Sequence, residues 1–329
     1  MTTPLEVRNI PPYEHVRMSC LERTRDLKHL SIDERAISAF ANKIARVDLS
    51  VIGTVDNDMF LGSEDLDKKI YYVLIADTIN FGSGWFPHLR KIGDKSGAVS
   101  IAIALSKYCI EFGIPGPAAL TSLTTDKVAE IVGQETNGEA RELMDLYRIA
   151  LFQLGHFLLD GYDGRAIHLI EEADRSAATL ISNLIKMPFF DDKTIEGTQT
   201  TYFYKRAQIT ASDIALVASE DLRPFDDLNR LTIFADNVLP NLLRVEGVLK
   251  YSNELTRMIA DSEILEGGSS EEVELRSATV VACESIVGAL NEVHAISISP
   301  RELDQLLWTM GREKIYKDSP RHRCRCTFY

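Results

Sequence analysis

The chain has 329 residues, with 36 basic against 49 acidic side chains and a formal net charge of −13 at pH 7. That balance repels phosphate backbones, so duplex nucleic acid is not an expected partner, whereas a single phosphate on a small ligand needs only a few local cations and N–H groups. The opening residues hold no apolar stretch of signal-peptide length and no later run approaches the roughly 20 apolar residues of a membrane span, which predicts no membrane partner and a cytoplasmic protein.

Residues 1–30 are polar and interrupted by proline, and read as an N-terminal arm on the surface; one compact helical domain is expected over residues 31–329. Asp33 to Ile44 reads as a helix with Ile37, Phe40, Ala41 and Ile44 on one side. Residues 51–55 and 59–62 are too short for strands and read as loop. From Asp65 to Asn80 the chain is almost continuously apolar, and a length beyond about ten residues selects buried helix over strand. Asp77 lies inside this run, which ends in Asn80-Phe81-Gly82-Ser83-Gly84-Trp85-Phe86-Pro87-His88. Two glycines spaced by serine permit tight backbone with exposed N–H groups, and the flanking aromatic rings offer stacking faces. Helices are expected from Ser96 to Phe112 and, after a Gly/Pro stop, from Leu123 to Val132; this pair is assigned to scaffold. Glu139 to Leu159 and Ala166 to Met187 follow as helices, with His156 read as a core histidine.

The stretch from Tyr202 to Asp236 sets charges among core-like patterns. Ala207, Ala211, Ile214 and Ala218 form one helical stripe and Ile209 and Leu216 lie opposite, so this helix is apolar on both faces and belongs at the centre. It also carries Lys205, Arg206 and Asp213. A second helix is expected to open at Asp226 or Asp227, with Leu228, Leu231, Ala235, Val238 and Leu242 in one stripe and Pro240 kinking it at Asp236. The alternative is a helix that ends near Asp236 and another that starts at Pro240. Helix is expected again from Leu242 to Ile259, and Ser269 with Glu272 predicts a capping box before a long two-sided helix through Val293. Arg276 follows Glu272 by four residues, spacing at which the two can pair. Pro300 to Met310 is a last amphipathic helix, and the basic, aromatic-ended tail is expected to dock back on the core. The five cysteines are scattered, which suits a reducing compartment, and Cys324 and Cys326 lack a second pair at metal-ligand spacing.

Several of these stretches occur together in one order: YFYKRAQITASDIAL (202–216), DDLNRLTIFADNVLP (226–240), LLRVEGVLKYS (242–252), EEVELRSATV (271–280) and PRHRCRCTFY (320–329), with IADTINFGSGWFPHLRK (75–91) upstream. The set resembles the queuosine salvage protein family from about Ala36 to Tyr329. The resemblance implies an all-α fold similar to helical DNA glycosylases and a queuosine 5′-phosphate N-glycosylase or hydrolase that frees queuine for reuse in tRNA. Breaking such a bond builds positive charge on C1′ and the ring oxygen, so Asp236 is the candidate catalytic carboxylate and Lys205 the cation that keeps it ionised. Asp77 and Asp213 suit the cationic, hydroxylated arm of the base; Asn80, Phe81, Trp85 and Phe234 suit the walls and stacking faces of the pocket. His88, Lys205 and the tail arginines suit the 5′-phosphate, and Arg276 is either a structural partner of Glu272 or a substrate contact. No metal is expected, and the absence of a phosphate-cradling glycine loop predicts no ATP or nicotinamide. The competing readings are a non-enzymatic helical interaction module and a glycosylase for other nucleotides.

Overall fold

Side chains that meet unpaired first-turn N–H groups set where the helices begin. In the computed structural model, which describes residues 10–54, 56, 58–218 and 224–329, Asp33, Asp65, Ser96, Thr124, Ser252 and Ser269 each accept such a bond. They open Glu34–Ile44, Leu66–Thr78, Gly97–Phe112, Thr125–Ile131, Asn253–Ala260 and Ser270–Val293. Ser299 and Glu302 form a reciprocal capping box ahead of Pro300–Met310. The chain is mostly helical, and among the described residues the strands form three short pairs. Leu30–Ile32 and Lys193–Glu196 run antiparallel to Leu249–Tyr251 and Gln199–Tyr202, and Ile264–Leu265 runs parallel to Arg323–Cys324.

The chain divides into two compact units. One takes the residues up to Gly53, Asp192–Gln208 and Asp227–Cys324; the other takes Thr54–Asp191, Ile209–Asp226 and Arg325–Tyr329. The first is built on the two-sided helix Ser270–Val293, where Val273, Leu275, Ala278, Val280, Ala282 and Ile286 are all buried. Pro12–Arg23 and Glu34–Ile44 pack against that helix. The second is built on Gly138–Tyr162, which buries Leu143, Tyr147, Leu151 and Leu154 and packs against Leu66–Thr78 and the short helix Pro117–Leu120. All five cysteines are buried and none is in a disulfide; burial pushes the thiol of Cys20 up to about 12 and that of Cys109 to about 11.

Several sequence expectations change here. Part of the stretch read as a polar arm is the helix Pro12–Arg23, which buries Tyr13, Val16 and Cys20, while its residues 1–9 lie outside the described residues. Ala166 to Met187 is two helices, Ala166–Ala173 and Ala177–Leu184, because Asp174 and Arg175 turn left-handed (φ 45° and 61°) and Ser176 caps the second. Leu242 to Ile259 is a helix end, the strand Leu249–Tyr251 and a new helix, divided by Gly247 (φ 78°) and the Ser252 cap. His156 is half exposed beside Asp160 rather than in the core. The helix expected from Asp226 is a single 3-10 turn, Leu228–Arg230, followed by chain in neither helix nor strand; Arg223 lies outside the described residues.

Candidate active site

Residues 231–236 belong to no helix or strand, and all but Asp236 are buried. A buried backbone in that state must find its hydrogen bonds on side chains, and it does so within the first unit. Arg17 Nη2 donates to the Leu231 carbonyl (3.2 Å) and the Thr232 N–H donates to Gln208 Oε1 (2.9 Å). The Phe234 N–H donates to Asp304 Oδ1 (2.8 Å), and Arg276 Nε donates to the Ala235 carbonyl (3.0 Å). Polar and charged side chains that looked out of place in core-like helices therefore serve the segment leading into Asp236. Pro240 falls in the first turn of Val238–Val245, where its missing N–H has no intrahelical partner to lose. Neither expectation holds in full: no helix reaches Asp236 to bend or to end there, and the next one begins at Val238, two residues before Pro240.

Arg276 is the hub. Its Nη1 donates to Asp192 Oδ1 (2.9 Å) and Glu272 Oε1 (3.3 Å), its Nη2 donates to Asp192 Oδ2 (2.5 Å), and its guanidinium lies 3.8 Å from the centre of the Phe203 ring. The predicted pairing with Glu272 is present, and each of the three guanidinium nitrogens donates to a protein acceptor. Asp192 in turn fixes the start of the helix Lys205–Val217. Its Oδ2 accepts the Lys205 N–H (3.1 Å), and its carbonyl accepts the N–H groups of Phe203 and Tyr204 (3.0 and 3.1 Å), with Tyr204 left-handed at φ 49°. Arg276 thus connects the turn that presents Lys205 to the carbonyl immediately before Asp236. Lys205, Phe234, Asp236 and Arg276 are gathered in this way in one unit. The Ser269 half of the expected capping box forms, but Glu272 accepts from the Gly268 N–H.

Asp236 is half-buried and uses one oxygen for structure: Oδ1 accepts the N–H groups of Val238 (2.7 Å) and Leu239 (3.2 Å) at the positive end of the helix Val238–Val245. Among the described residues nothing is hydrogen bonded to Oδ2. Asp304, 7% exposed, was not singled out from the sequence. Burial pushes its carboxyl up to about 8, the charge of Asp236 adds to the rise, and the Phe234 N–H and the charges of Lys205 and Arg301 oppose it. It is a neutral acid at pH 7 within electrostatic reach of Asp236. The signal was present: Asp304 falls on the buried stripe Pro300, Leu303, Leu307, where an acid needs a reason. Asp192 carried no such signal, since it ends an ordinary loop. From the tail, the His322 carbonyl accepts the Asn237 side-chain amide (3.2 Å). Burial and the charges of Arg276 and Arg321 push the His322 imidazole down to about 3, so it is neutral.

The other predicted residues belong to the second unit. Asp77 is buried in the last turn of Leu66–Thr78, and Asn80 is half-buried after it. Phe81 packs edge-on against Tyr147 (5.0 Å between centres, 88°), whose hydroxyl donates to the Phe81 carbonyl. Trp85 is buried, donates its indole N–H to Glu142 (2.9 Å) and lies under the Arg325 guanidinium. Gly82 has φ 120°, and a Cβ there would stand 2.8 Å from Leu143, so only glycine fits. The N–H groups of Gly82 and Ser83 donate to the main-chain oxygen of Tyr329 (3.0 and 3.3 Å), so the tail docks as expected and occupies those donors. His88 is exposed on the turn Phe86–His88, and Asp213 is half-buried on Lys205–Val217.

The family model described as Queuosine salvage protein matches residues 61–329. The Queuosine 5′-phosphate N-glycosylase/hydrolase of Sphaerobacter thermophilus is 36% identical over 277 residues, which cover 81% of this chain and 83% of that protein. The proteins of the same name from Bos taurus and Mus musculus are 31% and 29% identical, each over 80% of this chain and 82% of their own.

Proposed function

Because the chain belongs to the queuosine salvage protein family, we propose that it hydrolyses the N-glycosidic bond of queuosine 5′-phosphate and releases queuine for reuse in tRNA. The observation that carries the site is Asp236. One oxygen is fixed by a helix start, the chain before it is pinned by Gln208, Asp304 and Arg276, and the other oxygen has no described hydrogen-bond donor. A carboxylate held like this beneath the ribose stabilises the positive charge that develops on C1′ more than it stabilises the ground state.

Lys205, presented by the turn that Asp192 holds, supplies positive charge to the same cluster. Asp304 acts through Asp236: while neutral it adds no second negative charge to the site, and its bond to the Phe234 N–H keeps the segment before Asp236 in place. Phe234 is assigned to the wall beside the base. Asp77, Asn80, Phe81, Trp85 and Asp213 are assigned to the base and its arm and His88 to the 5′-phosphate, and the mostly helical chain supports a fold akin to helical DNA glycosylases. The substrate is a small nucleotide; no duplex nucleic acid, metal or other cofactor enters the reading.

Purified protein incubated with queuosine 5′-phosphate and, separately, with guanosine 5′-phosphate should release free base from the first only, read by chromatography. Release from both would favour a general nucleotide glycosylase, and release from neither an interaction module. Asp236→Asn should lower release by about 100-fold or more while keeping the far-UV spectrum and thermal midpoint; full turnover by that variant would remove Asp236 from the mechanism.

A further inference from the structure

The segment that ends at Asp236 and the strand that leads to Lys205 are both held by one helix, Pro12–Arg23. That helix lies upstream of residues 61–329, the part of the chain that matches the family model. Its Tyr13, Val16 and Cys20 are buried at i, i+3 and i+7, and it packs against Ser270–Val293. The residues on and beside that stripe reach the two approaches to the candidate site.

Arg17 takes the approach to Asp236. Its Nε donates to Glu284 (2.9 Å), its Nη1 to Glu14 (3.2 Å) and its Nη2 to the Leu231 carbonyl (3.2 Å), so all three guanidinium nitrogens are committed. Glu284 follows Arg276 by about two turns on the same helix, and Arg276 holds the Ala235 carbonyl. The two arginines therefore fasten Leu231 and Ala235, either end of the segment before Asp236, to a single rod. Burial raises the proton affinity of the Glu284 carboxyl and the charge of Arg17 lowers it, so acid and arginine depend on one another. Arg230, immediately before Leu231, is held as well: it donates to Glu14 (2.6 Å), and its guanidinium lies 5.8 Å from the centre of the Tyr13 ring.

Ser19 and Cys20 take the approach to Lys205. The Tyr202 N–H donates to Ser19 Oγ (3.0 Å), and the Cys20 thiol donates to the Tyr202 carbonyl (3.7 Å). Tyr202 ends the strand Gln199–Tyr202, shortly before Lys205, so both main-chain polar groups of its last residue are fixed from the helix. A displacement of about 1 Å at a catalytic group can cost roughly 100-fold in rate, and one helix here holds the backbones that carry two such groups.

We propose that Pro12–Arg23 is a positioning element of the active site, with Arg17 and Ser19 as positioning residues that set Asp236 against Lys205 through Leu231 and Tyr202. This rests on the reading of the protein as a nucleotide N-glycosylase.

Steady-state kinetics on the full chain with queuosine 5′-phosphate tests the role. Arg17→Met should lower kcat about tenfold or more with KM within about threefold, and Arg17→Lys should restore part of the loss. Ser19→Ala should lower kcat about threefold or more. Arg23→Met is the control: Arg23 sits on the same helix but donates to Glu196 and Ser270, so its loss should lower the thermal midpoint and leave kcat unchanged well below that midpoint. Hydrogen exchange read by mass spectrometry checks the placement without the reaction. Arg17→Met should speed exchange in peptides covering residues 231–236 by about fivefold or more, and Ser19→Ala should do so at residues 200–205. Unchanged kcat in Arg17→Met, an equal loss of kcat in Arg23→Met, or unaltered exchange at both segments overturns the positioning role. Wild type that releases no queuine overturns the glycosylase reading instead, with the exchange changes intact, so the two failures are separable.

Discussion

A guanidinium 1% exposed is tolerable only because its nitrogens find acceptors in the geometry an arginine fork requires, and Arg276 meets that condition at Asp192, Glu272 and the Ala235 carbonyl. A lysine keeps the charge but cannot reach these acceptors at once. Arg276→Lys should therefore lower unfolding free energy by about 3 kcal/mol in urea titrations and depress kcat, because both the Lys205 turn and the segment before Asp236 lose an anchor. A small stability change there would mean that Asp192 and Glu272 tolerate one another without it. The neighbouring acid shows what a sequence makes legible at this scale. Asp236 and Lys205 were readable as charges inside apolar patterns. Asp304 sat on an equally apolar stripe and was passed over, and Asp192 had no pattern to betray it, since its importance comes from an arginine 84 residues away.

Among elements, those that matched expectation are the ones whose ends are written locally: an N-cap serine, threonine or aspartate, a Gly/Pro stop, a periodic stripe. The elements that differed were decided by partners distant in sequence. Residues 231–236 carry helical spacing, but Gln208, Asp304 and Arg276 offer their backbone hydrogen bonds that replace a helix's own, and no local periodicity encodes that offer. Close approach is a second property that spacing alone leaves unread. Gly155 lies mid-helix in Gly138–Tyr162, and a Cβ at that position would stand 2.7 Å from the Pro117 carbonyl and 2.8 Å from the Thr121 methyl. Gly155→Ala, which in an exposed helix would be stabilising, should here destabilise by about 1–3 kcal/mol as the Pro117–Leu120 helix is pushed away. Chemical denaturation of the variant checks the sign.

For the molecule as a whole, two buried groups give stability opposite slopes in pH. Asp304, pushed up to about 8 from 3.8, takes up a proton on folding, so stability falls as pH rises from about 4 to 8. His322, pushed down to about 3 from 6.5, gives one up on folding, so its contribution is whole above 6.5 and is lost as pH drops toward 3. Between about 6.5 and 8 the aspartate acts alone of the two: the urea midpoint should decline across that window, and Asp304→Asn should flatten the decline. The five sunken thiols lend themselves to following such losses. With Cys20 near 12 and Cys109 near 11 there is almost no thiolate at neutral pH, and the sulfurs are screened from reagent. Iodoacetamide should then mark only chains that have opened. Cys20, Cys283 and Cys324 report one unit and Cys109 and Cys326 the other, so peptide mass spectrometry after a short pulse would clock the loosening of each half separately, with no engineered label.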